Sequence, residues 1–286
     1  MNLNGIRKLF SHEQLGSVLQ KITQNATEGS IRYRMAPMPE LYSKSNSVRE
    51  IKRDGISYRL DLSDLMDWWF YWGFKDEAHE FLFSKIKKND VVVDVGANKC
   101  ILTTLFSKQV GPTGKVYSFE ANPDNYEVCL DLVLRNKSSI ENCTLIGKGC
   151  GSEPGVMRMA RTSSNNTGMD RLVSVKDEEN LGKDVEVVPL DQELLNLEKI
   201  ELIKIDTEGF EFEVLMGATA ILEKFKPKLF IEFDRNNLQR YNASVQQIID
   251  YLKPFGYSFF NVQSGEYFSS ELELGPEFHF DCYCEI

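Results

Sequence analysis

Val91-Val92-Val93-Asp94-Val95-Gly96 decides the fold. The run does not alternate apolar with polar, so it reads as a strand buried on both faces of a parallel sheet, and Gly96 ends it. Ile101, Leu102, Leu105 and Phe106 then recur at helical spacing up to Gly111-Pro112. The unit repeats downstream. Residues 115–120 read as a second strand, and Asn122-Pro123 supplies an N-cap and a helix-starting proline ahead of Tyr126, Leu130, Val133 and Leu134. Residues 144–147, 201–206 and 228–233 read as further strands. Helices carry Val214, Leu215, Ala218, Ile221, Leu222 and Phe225 up to Pro227, then Val245, Ile248, Ile249 and Leu252 after Ser244. Residues 257–262 and 279–286 read as a closing antiparallel pair, and 156–159, 171–175 and 185–190 as strands of an insertion. Repeated strand–helix units specify the α/β class with a doubly wound, mostly parallel sheet.

Upstream the pattern differs. Ile6, Phe10, Leu15, Leu19 and Ile22 form a rough helical stripe, and a polar stretch with Pro37 and Pro39 follows. Asp54-Gly55 between two alternating segments is a hairpin signal. All three tryptophans fall in Trp68-Trp69-Phe70-Tyr71-Trp72-Gly73-Phe74. Residues 1–75 therefore form an N-terminal accessory segment of helix, β-hairpin and aromatic cluster. Residues 76–286 form the main domain, with a β-rich insertion at about 156–190.

The 286 residues carry 33 Lys+Arg against 43 Asp+Glu, a net charge of −10 with 42% apolar content. An acidic globular chain argues against nucleic acid as a partner, since phosphate binding leans on Lys and Arg clusters. Six cysteines without C-x-x-C spacing give no zinc signature and fit a reducing, cytoplasmic setting. The lack of an 18-residue apolar run argues against a transmembrane segment.

Open parallel sheets bind ligands at the C-terminal ends of their strands. There this sequence delivers Asp94-Val95-Gly96-Ala97-Asn98, Glu120, Asp206-Thr207-Glu208-Gly209, and Glu232 with Asp234. Acids at strand ends can simply cap helix N-termini, which explains one or two of them better than four together. Dinucleotide binding wants G-x-G-x-x-G, but Gly96-Ala97-Asn98-Lys99-Cys100 holds one glycine. Asp94, so close to that loop, would repel a pyrophosphate and suit a cationic ligand. Glu120 is positioned for a ribose diol. A positively charged adenosine ligand is S-adenosylmethionine.

Val93-Asp94-Val95-Gly96-Ala97-Asn98, Thr103, Lys115-Val116-Tyr117-Ser118-Phe119-Glu120 and Leu202-Ile203-Lys204-Ile205-Asp206-Thr207-Glu208-Gly209, with Glu213-Val214-Leu215-Met216-Gly217-Ala218, resemble the FkbM family of S-adenosylmethionine-dependent methyltransferases. The resemblance spans about residues 75–235. It implies a Rossmann-like class I methyltransferase fold with seven strands, methylating a hydroxyl on a sugar, glycan or small natural product. It also implies cofactor binding by Asp94, Gly96, Ala97, Asn98, Thr103, Glu120 and Ala121, with Lys148 and Gly149 edging the adenine. Three positions depart from the family pattern: Cys100 stands at a glycine, Lys99 at an apolar residue and Ala121 at a proline. A positive φ at Cys100 would cost about 1 kcal/mol.

Methyl transfer to oxygen is an in-line displacement with the acceptor oxygen about 3 Å from the methyl group. The hydroxyl proton needs a base or a metal. Asp206, Glu208 and Glu232 are the catalytic candidates, and in an extended backbone Asp206 and Glu208 point to the same side. One acts as base, or two grip a divalent cation that orients the hydroxyl. A plain strand-to-helix turn is the alternative reading of Glu208-Gly209. His12, His79 and His279 read as surface or packing residues. The tryptophan run reads as a plug between hairpin and sheet, with an acceptor wall as the rival. A shallow membrane-interface or dimer contact there stays open, as does a homo-oligomer. The expected partner is a small-molecule or glycan acceptor. Two other functions compete: a nicotinamide-dependent oxidoreductase, which lacks its glycine fingerprint, and a non-catalytic binding or scaffold protein on the same fold. Lys99 and Cys100 favour the second, and the carboxylates of Asp94, Glu120, Asp206 and Glu208 oppose it.

Overall fold

The computed structural model describes residues 3–43, 46–160, 171–173 and 182–286. The chain divides between Glu77 and Ala78 into two compact units. The first holds α1 (Leu3–Phe10), α2 (Glu13–Thr23), α3 (Ile31–Met35), β1 (Val48–Arg53), β2 (Ile56–Asp61) and α4 (Leu65–Trp72). β1 and β2 pair antiparallel around Asp54-Gly55, whose φ values of 50° and 83° are the positive pair that a two-residue hairpin turn needs. Asp64 starts α4 by accepting hydrogen bonds from the backbone N–H groups of Met66 and Asp67 at 3.0 and 3.3 Å. Trp68 and Trp72 are fully buried. The Trp68 indole donates to the Pro37 carbonyl at 2.5 Å, and Tyr33 and Phe74 pack on its ring with centroids 5.8 and 5.1 Å away. The aromatic run thus fills the interior of its own unit.

α5 (Glu77–Ser84) lies across the division. The second unit continues with β3 (Val91–Val95), α6 (Ile101–Val110), β4 (Lys115–Phe119), α7 (Pro123–Arg135), β5 (Cys143–Ile146), β6 (Gly149–Cys150), β7 (Gly155–Ala160), β8 (Arg171–Val173) and β9 (Lys183–Val188). It closes with α8 (Leu190–Leu194), β10 (Leu202–Ile205), α9 (Glu211–Met216), α10 (Thr219–Phe225), β11 (Lys228–Asp234), α11 (Arg235–Arg240), α12 (Val245–Leu252), β12 (Ser258–Asn261), β13 (Glu266–Phe268) and β14 (His279–Glu285). The main sheet runs β13-β12-β14-β11-β10-β3-β4-β5, with β11, β10, β3, β4 and β5 mutually parallel. β14 pairs antiparallel with both β11 and β12. The sheet has eight strands rather than the seven implied by the resemblance, because β13 folds back on β12 and sets Phe268 opposite Phe259.

The buried-strand reading of 91–95 holds on both faces. Val91, Val93 and Val95 join one core with Ile203, Ile205 and Ile231, while Val92 joins another with Leu202 and Phe230. The helix expected to run through to Phe225 is broken after Met216, since the Asp191 carboxylate accepts from the N–H groups of Ala220 and Ile221, both at 2.9 Å, and caps α10 anew. The insertion forms a second sheet, β6-β9-β7-β8, and Ser174 and Val175 of its expected strand lie outside the described residues. No described helix is long and apolar enough to cross a membrane. Strand order reverses between β3 and β10, so the crevice above their C-terminal ends is the natural ligand position.

Candidate active site

At the end of β3 the chain turns in a left-handed conformation at Gly96, φ 78°. A Cβ there would lie 1.8 Å from the Asp206 carbonyl oxygen, so only glycine lets the two strand ends approach this closely. The backbone N–H groups of Gly96 and Ala97 both donate to the Phe119 carbonyl at 3.0 Å, fastening the loop to β4. Asn98 and Cys100 also take positive φ, 51° and 59°. Cys100 thus adopts a left-handed conformation that glycine would take without strain, and it does so fully buried at the N-cap of α6.

Asp94 sits beneath this loop with no exposure. Its Oδ2 accepts from the Thr103 hydroxyl at 2.6 Å, and Thr103 in turn accepts from Ser118 at 3.0 Å. Among the described residues its Oδ1 accepts no hydrogen bond, and it faces the Lys204 ammonium at 3.6 Å. That ammonium also reaches Asp206 at 3.2 Å and donates to the Gly96 carbonyl at 3.0 Å. Burial pulls the Lys204 pKa down, but the Asp206 and Asp94 carboxylates outweigh it and hold the group above the ordinary lysine range. Glu120 closes the other side, accepting from the backbone N–H groups of Asn98 at 2.6 Å and Asn122 at 2.7 Å. Burial pushes its carboxyl up to about 8 despite these bonds and the Lys204 charge, and Asp94 adds to the rise.

One strand further on, carboxylate oxygens of Asp206, Glu208 and Glu232 lie within 4.8 Å of one another. The convergence does not come from extended alternation, as the sequence suggested. Glu208 lies in a turn at φ 56°, and the buried Glu211 carboxylate clamps that turn by accepting from Thr207 N at 2.9 Å and Gly209 N at 3.0 Å. Gly209 is required at φ 109°, where a Cβ would lie 2.3 Å from the Asn237 carbonyl. Glu208 accepts from the Asn237 amide at 2.7 Å; burial, then Asp206 and Glu211, push its carboxyl up to about 7. Glu232 rises to about 8 through burial and Asp206, moderated by a 2.8 Å bond to His279 Nε2. That bond raises the His279 imidazole to about 9 against the effect of burial.

The sequence model of the methyltransferase FkbM domain matches residues 94–259, from the loop acid to the start of β12. The chain belongs to the FkbM methyltransferase family. No curated protein matches it. Among solved structures, methyltransferase FkbM from Methylobacillus flagellatus KT is 16% identical at a TM-score of 0.49, over 95% of this chain but 59% of that one. A SAM dependent methyltransferase from Aquifex aeolicus is 15% identical at 0.42, over 73% of this chain and 89% of its own. Aeropyrum pernix fibrillarin, solved with natively bound S-adenosyl-L-methionine, is 12% identical at 0.43, over 85% and 84%.

Within the FkbM domain the expected residues fall into two groups. Asp94, Gly96, Ala97, Asn98, Thr103 and Glu120 surround the loop after β3, and Asp206, Glu208 and Glu232 form the second cluster. A Cβ on Gly149 would stand 3.5 Å from that of Ala121, so these two flank one another. The Lys148 ammonium pairs with Glu186 and Glu193, both at 3.0 Å. Three residues escaped the sequence reading. Lys204 looked like a strand residue among apolar neighbours, although its charge inside a buried run was a signal. Glu211, just past the Asp206-Thr207-Glu208-Gly209 block, is marked by no motif. His279 reaches Glu232 only because β14 pairs with β11 in the register Asp234↔His279, which no local pattern encodes.

Proposed function

We propose that this chain is an S-adenosylmethionine-dependent methyltransferase acting on a hydroxyl of a sugar, glycan or small natural product. In this reading residues 76–286 are the methyltransferase domain, with 156–190 as its insertion, and residues 1–75 are an accessory segment. The observation that carries it is the cluster of Asp206, Glu208 and Glu232, two of them poised near neutrality, one strand from the glycine loop. The residues suit the cofactor. Asp94 has a buried, unbonded Oδ1 at the strand end, and Glu120 can accept from a ribose diol with the lone pairs its backbone donors leave free. When bound, S-adenosylmethionine supplies an electrophilic methyl group on a sulfonium.

The chain's own residues then divide the remaining work. The loop 96–98 and Glu120 orient the cofactor. One carboxylate of the cluster accepts the proton that the acceptor hydroxyl loses as its oxygen takes the methyl group. A second reading keeps the same residues as ligands of a divalent cation, favoured by three carboxylate oxygens within 4.8 Å of one another.

Thermal unfolding tests the proposal. S-adenosylmethionine at about 100 times its Kd should add roughly 2.7 kcal/mol, a shift of about 5 °C, while NADH adds nothing. An added shift with magnesium that EDTA reverses favours the cation. No shift with either nucleotide moves the reading to a binding protein on this fold.

Cofactor affinity should also depend on pH. Glu208, Glu232 and Glu120 lose protons near pH 7, 8 and 8, and each charged form attracts a sulfonium. Affinity for S-adenosylmethionine should therefore rise about tenfold from pH 6 to 8. S-adenosylhomocysteine, with no sulfonium charge, should gain less. Titration calorimetry with both ligands reads the difference, and equal pH dependence would refute the electrostatic account.

A further inference from the structure

We propose that the first unit carries a docking surface for anionic lipid membranes, built from an exposed apolar row on α2 and the basic side chains around it. Leu15, Val18 and Ile22 recur at i, i+3 and i+7 and so share one stripe of the helix. They are 47%, 60% and 48% exposed. The interior of the unit is served by a different stripe, Gly16, Leu19 and Thr23, all buried. α2 therefore has more apolar surface than its own unit covers. Leu9 and Ile31, on the neighbouring helices, are 48% and 81% exposed, so five of the exposed large apolar side chains fall between residues 9 and 31.

The charge says what covers it. Residues 1–35 hold Arg7, Lys8, Lys21, Arg32 and Arg34 against Glu13 and Glu28, a net +3 inside a chain of −10. Lys8, Lys21, Arg32 and Arg34 are exposed and make no ion pair among the described residues. Arg7 donates to the Arg34 carbonyl at 2.7 Å, which ties α1 to α3 and gathers the basic ends. Exposed apolar side chains with lysine and arginine on the same and adjoining helices suit the headgroup boundary of an anionic bilayer, where long basic stems reach the phosphates. A second copy fits worse, since a two-fold contact through this patch would set like charges against each other.

Co-sedimentation of the full chain with phosphatidylcholine vesicles, with and without phosphatidylglycerol, tests this. Binding is expected only with phosphatidylglycerol, and about tenfold weaker in about 0.5 M salt. The V18E/I22E variant should lose about tenfold or more, and K21Q/R32Q/R34Q about as much, with both melting like wild type because these side chains are exposed. No binding to phosphatidylglycerol vesicles, or binding unchanged in either variant, overturns the proposal. So does a dimer in solution that V18E/I22E dissociates, because a second copy then covers the row.

Discussion

Replacing Lys204 by Met is expected to destabilise the fold by about 3–5 kcal/mol, with loss of cofactor binding. The reason is Asp94. Its carboxylate has no exposure, and among the described residues one oxygen accepts no hydrogen bond and faces the Lys204 ammonium 3.6 Å away. Methionine fills the volume but leaves that charge buried and uncompensated, and it frees the Gly96 carbonyl that the ammonium holds. Asp206, with a side chain 41% exposed, keeps water as a partner and loses little.

A further measurement separates this from simple mispacking. The double variant K204M/D94N should recover about half of the loss in urea titration, because the buried charge is gone while Thr103 keeps an acceptor. A deficit that D94N does not relieve would assign Lys204 a packing role.

Residues 91–95 were legible because burial on both faces leaves no polar position to interrupt the run, and Asp54-Gly55 because its turn needs left-handed backbone that few residues supply. The loop at Gly96 was legible for the same reason. Less was readable where distant segments meet. Asp206, Glu208 and Glu232 stand out as acids on adjacent strand ends, but extended backbone does not align Asp206 with Glu208: Glu208 is left-handed in a turn clamped by Glu211. His279 joins them through strand register alone, and Lys204 is tied to Asp94 by parallel pairing of β10 with β3. Such contacts depend on which strands become neighbours. Local periodicity reports how a strand is buried and says nothing of what lies beside it.

Replacing Asp206 by Asn is expected to lower methyl transfer about 10³-fold while the protein still folds and binds S-adenosylmethionine within a few-fold of wild type. Asp206 stands at the centre of the cluster, with carboxylate oxygens of Glu208 and Glu232 within 4.8 Å, and it raises both neighbours. The amide cannot accept a proton from the acceptor hydroxyl, and it removes the charge that adds to burial in raising Glu208 and Glu232. Residual turnover should therefore show its acid limb displaced to lower pH, since those two carboxyls ionise earlier once the repulsion is gone. Turnover of labelled methyl groups onto an acceptor found by screening sugars and small natural products, measured from about pH 5 to about pH 9, reads both effects. If the cluster instead holds a divalent cation, wild-type turnover already falls in EDTA and returns with magnesium, whereas a carboxylate base is indifferent to both. A folded D206N protein with wild-type turnover would remove Asp206 from the chemistry and leave Glu232, oriented by His279, as the group to test next.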